Sequence, residues 1–169
     1  MNINGIISSF NTSFDLNNSN RVHNIAIAAK QLNNIFIDPG QKISFNDVTG
    51  SRTLDLEYKV ANIIVDNQLV EEIGYGFCQV SSTLYNTVLL SGLEITGRYN
   101  YSIPVPDVPL ELDATVVNGV LDLKFKNSTD TDDYIYIKTE IYRYAIHNGL
   151  CADFTTLIAS LLIVHAMFK

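Results

Sequence analysis

A cysteine that follows a glycine-rich turn and opens a helical pattern is the chemical feature of this 169-residue chain. Residues 74–86 read Gly-Tyr-Gly-Phe-Cys-Gln-Val-Ser-Ser-Thr-Leu-Tyr-Asn, and the apolar period that starts at Cys78 runs on to Leu90. A thiol at a helix N-terminus meets unpaired N–H groups and the positive end of the helix dipole, which favour thiolate over thiol. The same placement also serves an ordinary buried helix, because free cysteine is among the most buried residue types. Spacing alone leaves both readings open.

Other reactive side chains are sparse. Ser81, Ser82 and Thr83 are first-turn helix residues without a neighbouring histidine in sequence. His23 lies off the apolar stripe of its helix and reads as a solvated residue. His23, His147 and His165 lack the close spacing of zinc or iron ligands, and no C-x-x-C or H-x-x-x-H occurs, so neither a metal nor a cofactor is expected. Cys78 and Cys151 stand far apart and give no disulfide framework.

Composition narrows the class. Hydrophobic residues are 47% and charged residues 17%, a globular balance, and 169 residues suffice for one core without staples. The net charge of −7, with no run of Lys or Arg, argues against nucleic acid as a partner. No basic segment followed by an apolar core stands at the start, so no signal peptide is read there.

The elements that would position Cys78 follow from periodicity. Residues 11–20 are rich in Asn, Ser and Thr, reading as a surface segment whose Ser19 or Asn20 caps a first helix. Val22, Ile25, Ala26, Ala29 and Leu32 give that helix one apolar stripe. Asp38-Pro39-Gly40 predicts a turn, residues 43–46 a short strand, then a loop through Gly50 and Arg52. Residues 60–65 and Leu69-Val70 predict a hairpin, with Glu71 and Glu72 facing water. In the cysteine helix Val80, Leu84, Val88 and Ser91 share a face, and Gly92 is placed for a left-handed cap. Residues 93–102 predict a strand with a bulge at Gly97, and Pro104, Pro106 and Pro109 a looped rim. Asn118-Gly119 between apolar runs predicts a hairpin, and residues 134–141 alternate strictly enough for a further strand. Residues 154–168 are apolar on nearly every face, and predict a C-terminal helix too short to span a bilayer. The expected organisation is one α+β domain over residues 1–145, its cysteine helix packed on a mainly antiparallel sheet, with an atypical helical segment at 146–169.

In order along the chain, Ser9-Phe10-Asn11-Thr12-Ser13-Phe14, Asn24-Ile25, Pro39-Gly40, Ser44-Phe45-Asn46 and Gly50-Ser51-Arg52-Thr53 precede the cysteine segment. Residues 98–105, Asp113-Ala114-Thr115-Val116 and residues 121–127 follow it. With these motifs, residues 7–141 resemble the VanW-like family, named after an accessory protein of vancomycin-resistance clusters. The resemblance implies the outer face of a bacterial cell envelope and L,D-transpeptidation of peptidoglycan stem peptides. By a fold-level analogy with transglutaminase- or papain-like cysteine transferases, it implies Cys78 as nucleophile, position 101 as base and Asp113 as the group orienting that base. Gly76, Gln79, Arg98 and Tyr99 would bind substrate, and the N–H groups of Cys78 and Gln79 would stabilise the oxyanion. Asp113 also reads as a strand-end residue holding a turn, and Arg98 as a partner for a nearby acid.

The chain departs from the family at three places: Tyr99 and Tyr101 stand where histidine is common, Glu111-Leu112 where Gly-Arg is, and Tyr75 where glycine is. Tyrosine, with a reference pKa near 10, is a poor proton carrier at neutrality. The competing expectation is therefore a non-catalytic or degenerate module that binds wall peptide or a partner. The sequence leaves the oligomeric state open.

Overall fold

A computed structural model of the chain describes residues 2–65, 68–102, 108–129, 134–144 and 154–165. Its largest sheet has four antiparallel strands. These are β1 (Asn2–Asp15), β2 (Ile35–Ile37), β8 (Tyr134–Tyr144) and β9 (Phe154–His165), in the spatial order β1, β9, β8, β2. A three-stranded sheet joins β3 (Lys42–Ser44), β7 (Lys124–Lys126) and β6 (Glu94–Gly97), and β4 (Val60–Val65) pairs with β5 (Gln68–Ile73) as a hairpin. Three α-helices lie among the described residues: α1 (Ser19–Leu32), α2 (Phe45–Thr49) and α3 (Phe77–Leu90). The architecture is mixed α+β with small antiparallel sheets, as the patterns predicted.

Helix α3 packs on β1 and β9, and α1 packs on β8 and on α3. Between them Ile25, Leu32, Leu84, Ile135 and Ile137 are fully buried. Each contributes roughly 1.5–3 kcal/mol by leaving water. A second part of the core, Phe45, Tyr58, Phe77, Leu123 and Phe125, lies under the start of α3, where Phe77 meets Phe45 and Tyr58 edge to face.

Several expectations hold. The turn at 38–41 closes with Gln41 N–H on the Asp38 carbonyl at 2.9 Å and Gly40 at φ 73°. Val65 pairs with Gln68 in the β4–β5 hairpin, and Glu71 and Glu72 are exposed. The register of β6 slips between Ile95 and Gly97, the predicted bulge. Gly92 takes φ 72° just past α3. In β8, Ile135, Ile137 and Thr139 alternate inward.

Others are corrected. Residues 154–165 form strand β9 and not a helix, pairing β1 on one side and β8 on the other. A strand inside a sheet reads as a continuous apolar run, which periodicity cannot tell from a buried helix. Residues 11–15, read as a surface segment, are the end of β1, where Thr12 and Phe14 alternate inward with polar residues between. The α1 cap is Asn18, whose side chain accepts from Arg21 N–H at 3.1 Å. On α1 the buried residues include Asn24 and Ala28, whereas Ala26 is exposed. The strand expected at residues 43–46 ends at Ser44, and residues 45–49, expected as the end of that strand and the start of a loop, make the short helix α2, capped by Ser44 Oγ.

The Asn118-Gly119 turn is present, but its hairpin shrinks to one bridge between Val117 and Leu121. The backbone on either side is used elsewhere. Ala114 and Val116 bond to side chains of α3, Thr115 N–H to the Tyr99 carbonyl, and the Asp122 carboxylate accepts from Asn46 N–H at 3.0 Å and Ser44 Oγ at 2.6 Å. His147 and Cys151 lie outside the described residues.

Candidate functional site

Cys78 is the second residue of α3 and is half-buried. The start of that helix is fixed by glycine. Gly76, its N-cap, has φ 117° and ψ −17°. A Cβ there would lie 2.7 Å from Ile25 Cγ1 and 3.3 Å from the Arg21 carbonyl, so only glycine lets α1 pass this close. Gly74 plays the same part for Arg52, whose aliphatic stem lies against it, 3.1 Å from where a Cβ would be.

The remainder of α3 is buried on almost every side, polar residues included. Ser81 Oγ donates to the Ala114 carbonyl, Ser82 Oγ accepts from Ala114 N–H at 2.9 Å, and Asn86 Nδ2 donates to the Leu112 carbonyl at 2.6 Å. On the opposite side Thr83 Oγ1 shares a 2.7 Å hydrogen bond with Thr12 Oγ1, and Ser8 Oγ donates to the Thr87 carbonyl at 2.7 Å. These bonds satisfy main-chain groups that burial would otherwise strand. They also hold residues 112–116 alongside the helix, which brings the Val116 carbonyl to 3.6 Å from Cys78 Sγ.

Cys78 opens into a cleft of about 180 Å³ whose walls include Arg21, Arg52, Tyr75, Tyr101 and Val116. Arg52 Nη1 donates to the same Val116 carbonyl at 3.3 Å, so thiol and guanidinium converge on one oxygen. Arg52 Nη2 donates to Asn46 Oδ1 at 2.8 Å, and the guanidinium carbon stands 4.3 Å over the Phe77 ring. Burial pulls the Arg52 pKa below its ordinary value, while Cys78, Tyr58, Glu72 and Asp122, in that order, push it back. Across the cleft Arg21 Nη2 donates to Gln79 Oε1 at 2.7 Å and its guanidinium stands 5.2 Å over the Tyr75 ring.

Of the seven residues singled out in the sequence, Cys78, Gly76, Gln79 and Tyr101 line this cleft. Arg98, Tyr99 and Asp113 do not. The Gln79 side chain is committed: besides holding Arg21, its Nε2 donates to Thr12 Oγ1 at 3.1 Å and to the Ser13 carbonyl at 2.9 Å. Gln79 N–H is committed too, to the Gly76 carbonyl at 3.1 Å, so the expected oxyanion pair is reduced to Cys78 N–H.

Asp113 is 7% exposed and does act on position 101, though not on its side chain. Its Oδ2 accepts the Tyr101 main-chain N–H. Its Oδ1 lies 3.3 Å from Arg98 Nη2, and Arg98 Nε donates to the Asp113 carbonyl at 2.7 Å. Arg98 also reaches the Glu111 carbonyl at 2.7 Å and stacks on Tyr85 at 5.0 Å. Arg98 therefore pairs with a nearby acid and braces residues 111–113. Tyr99 is 48% exposed, away from the cleft.

Sequence reasoning missed Arg21 and Arg52 as site residues. Arg52 was visible only as part of the Gly-Ser-Arg-Thr motif, and Arg21 only as a polar residue opening α1. His23 bonds through Nε2 to the Glu57 carbonyl at 2.8 Å, and no histidine lines the cleft among the described residues. No cluster of three or more His, Cys, Asp or Glu suited to a metal occurs among the described residues, and no described helix is long and apolar enough to cross a membrane.

Comparison with known proteins places the site in context. The family model described as VanW like protein matches residues 20–151. The chain is 47% identical over 116 residues, covering 69% of it and 38% of the relative, to the uncharacterized protein YoaR of Bacillus subtilis strain 168. It is 33% identical over 133 residues, covering 75% of it and 48% of the relative, to the vancomycin B-type resistance protein VanW of Enterococcus faecalis strain ATCC 700802 / V583. The matched stretches thus span less than half the length of these curated relatives. No solved structure matches the chain.

Proposed function

The chain belongs to the VanW-like family, and on that premise we propose that it is a cysteine acyltransferase of the bacterial cell envelope acting on peptidoglycan stem peptides. The observation that carries the reading is the position of Cys78. Its thiol sits in the first turn of a rigid, buried helix, on the wall of a cleft, with Cys78 N–H accepted by nothing among the described residues. The relation to a vancomycin resistance protein supports a substrate at the cell wall.

In the proposed reaction the thiolate of Cys78 attacks a stem-peptide carbonyl. The C–S bond forms and the C–N bond to the terminal D-amino acid breaks, the departing amine taking a proton. An amine of a neighbouring stem then attacks the thioester, forming the new amide, losing a proton and returning the thiolate. Cys78 N–H faces the developing oxyanion, a donor worth a few kcal/mol when preorganised. An analogy with transglutaminase- or papain-like enzymes extends to a cysteine at a helix N-terminus, whereas Asp113 accepts the Tyr101 main-chain N–H and does not orient that side chain.

A second reading, a wall-peptide-binding module without turnover, is supported by Tyr75 and Tyr101 in the cleft. Aromatic faces suit binding, and a tyrosine hydroxyl is by its ordinary chemistry a poor proton carrier at neutrality. Mass spectrometry of muropeptides incubated with the protein and with Cys78→Ala separates the two. A crosslinked or exchanged product that requires Cys78 is the expected result, and no Cys78-dependent product overturns the transferase reading.

A further inference from the structure

Arg98, the arginine that the family resemblance offered for binding substrate, pairs its charge with Asp113. Arg52 does not. It lines the cleft beside Cys78, yet no carboxylate lies within ion-pairing distance of it among the described residues, and both of its hydrogen bonds go to neutral oxygens. Its Nε is buried without a hydrogen-bond partner. A half-buried guanidinium with no counter-ion is costly, and its planar fork suits a carboxylate better than any neutral group.

The distances set where such a carboxylate would sit. Arg52 Nη1 and Cys78 Sγ lie 3.3 and 3.6 Å from one carbonyl oxygen, so they are at most about 7 Å apart. The carboxylate of the residue that follows a carbonyl is three bonds and about 4 Å beyond the carbonyl carbon, so with that carbon in contact with the sulfur the carboxylate is within reach of the Arg52 guanidinium. Arg21 adds a second positive charge to the same walls, and Glu72, at the exposed edge, is the one acid among the described lining residues.

We propose that Arg52 is the specificity-determining residue of the Cys78 cleft, pairing with a free carboxylate one residue beyond the carbonyl presented to the thiol. The inference rests on the cleft of Cys78 being the substrate site, but its test reads binding and needs no turnover. N-acetyl-L-alanyl-D-alanine and its C-terminal amide are the probes, an L-residue carbonyl followed by a D-residue carboxylate as in the reaction proposed above. The readout is protection of Cys78 from iodoacetamide, an uncharged reagent, followed by mass spectrometry of the peptide that contains Cys78.

The free acid is expected to protect at concentrations about tenfold below those the amide requires, the size of one charge-assisted hydrogen bond. R52Q should erase that difference, and R52K should restore part of it, since an ammonium keeps the charge without the fork. Equal protection by acid and amide, protection by neither, or discrimination that survives R52Q would each overturn the proposal. Should R52Q fail to fold, as judged by its thermal transition, the acid-to-amide ratio in the unmodified protein and in R52K decides. A Cys78-dependent muropeptide product without acid preference would reject Arg52 alone; acid preference without such a product would reject the transferase reading alone.

Discussion

Replacing Gly76 by alanine tests the packing that places Cys78. Two costs act at this position. The backbone at φ 117° is one that L-residues rarely adopt, and holding a side chain there costs about 1–3 kcal/mol. The new methyl would also stand 2.7 Å from Ile25 Cγ1. Ile25 is fully buried and cannot swing into solvent, so the overpacking adds about 1–3 kcal/mol.

A total of roughly 2–6 kcal/mol is a large part of the 5–15 kcal/mol typical of a domain. Gly92→Ala is the control. Gly92 has φ 72° but no atom within 4 Å of its added methyl, so only the backbone term of about 1 kcal/mol remains. Urea denaturation at constant m-value measures both losses. The clash is isolated by Gly76→Ala combined with Ile25→Ala, which should destabilise by at least about 1 kcal/mol less than the separate losses together. If Gly76→Ala costs no more than Gly92→Ala, the close passage of α1 over the N-terminus of α3 is refuted.

Two further outcomes follow from buried polar groups. Asn24 is 0% exposed; its Oδ1 accepts from Lys59 N–H at 2.8 Å, and its Nδ2 donates to the carbonyls of Lys59 and Tyr75 at 2.9 and 3.2 Å. Asn24→Ala should therefore cost about 3 kcal/mol in urea denaturation, and a loss below about 1 kcal/mol would show that these groups find other partners. Burial raises the pKa of Tyr58, 1% exposed, with the Arg52 charge opposing the shift; the hydroxyl donates to Gln31 Oε1 at 2.7 Å. The folded chain thus holds this proton more tightly than the unfolded chain. The associated stability is full below about pH 10 and falls as pH rises through the folded pKa. Stability measured from pH 9 upward should fall less steeply in Tyr58→Phe, and identical slopes would contradict this.

Much of the frame was legible because it rests on local rules. The α3 pattern of Val80, Leu84 and Val88 with Gly92 beyond, the turn at Asp38-Pro39-Gly40, and the bulge at Gly97 each follow from neighbours in sequence. The errors fall where a partner distant in sequence decides. Residues 154–165 are a strand because β1 and β8 take both of its edges, which no property of the run announces. Ala114 and Val116 give their main-chain groups to α3 and Arg52 and Thr115 gives its N–H to the Tyr99 carbonyl, and so the hairpin promised by Asn118-Gly119 stops at one bridge.

The site divides in the same way. By itself the sequence determined that a cysteine opens a helix after a flexible Gly-Tyr-Gly turn, because glycine conformation and helix termini are short-range physics. It also determined the family, through motifs in a fixed order. Only the tertiary structure decided which charges surround that cysteine. Arg98 and Arg52 are the same residue type on loops, and neither sequence context says which is neutralised. Asp113 reaches Arg98, whereas among the described residues Arg52 hydrogen-bonds the Val116 carbonyl and Asn46 Oδ1 and pairs with no carboxylate, so its charge is left facing the cleft. Charge pairing is settled by distances across the folded chain, and those exist only once α3 has drawn residues 112–116 against its side.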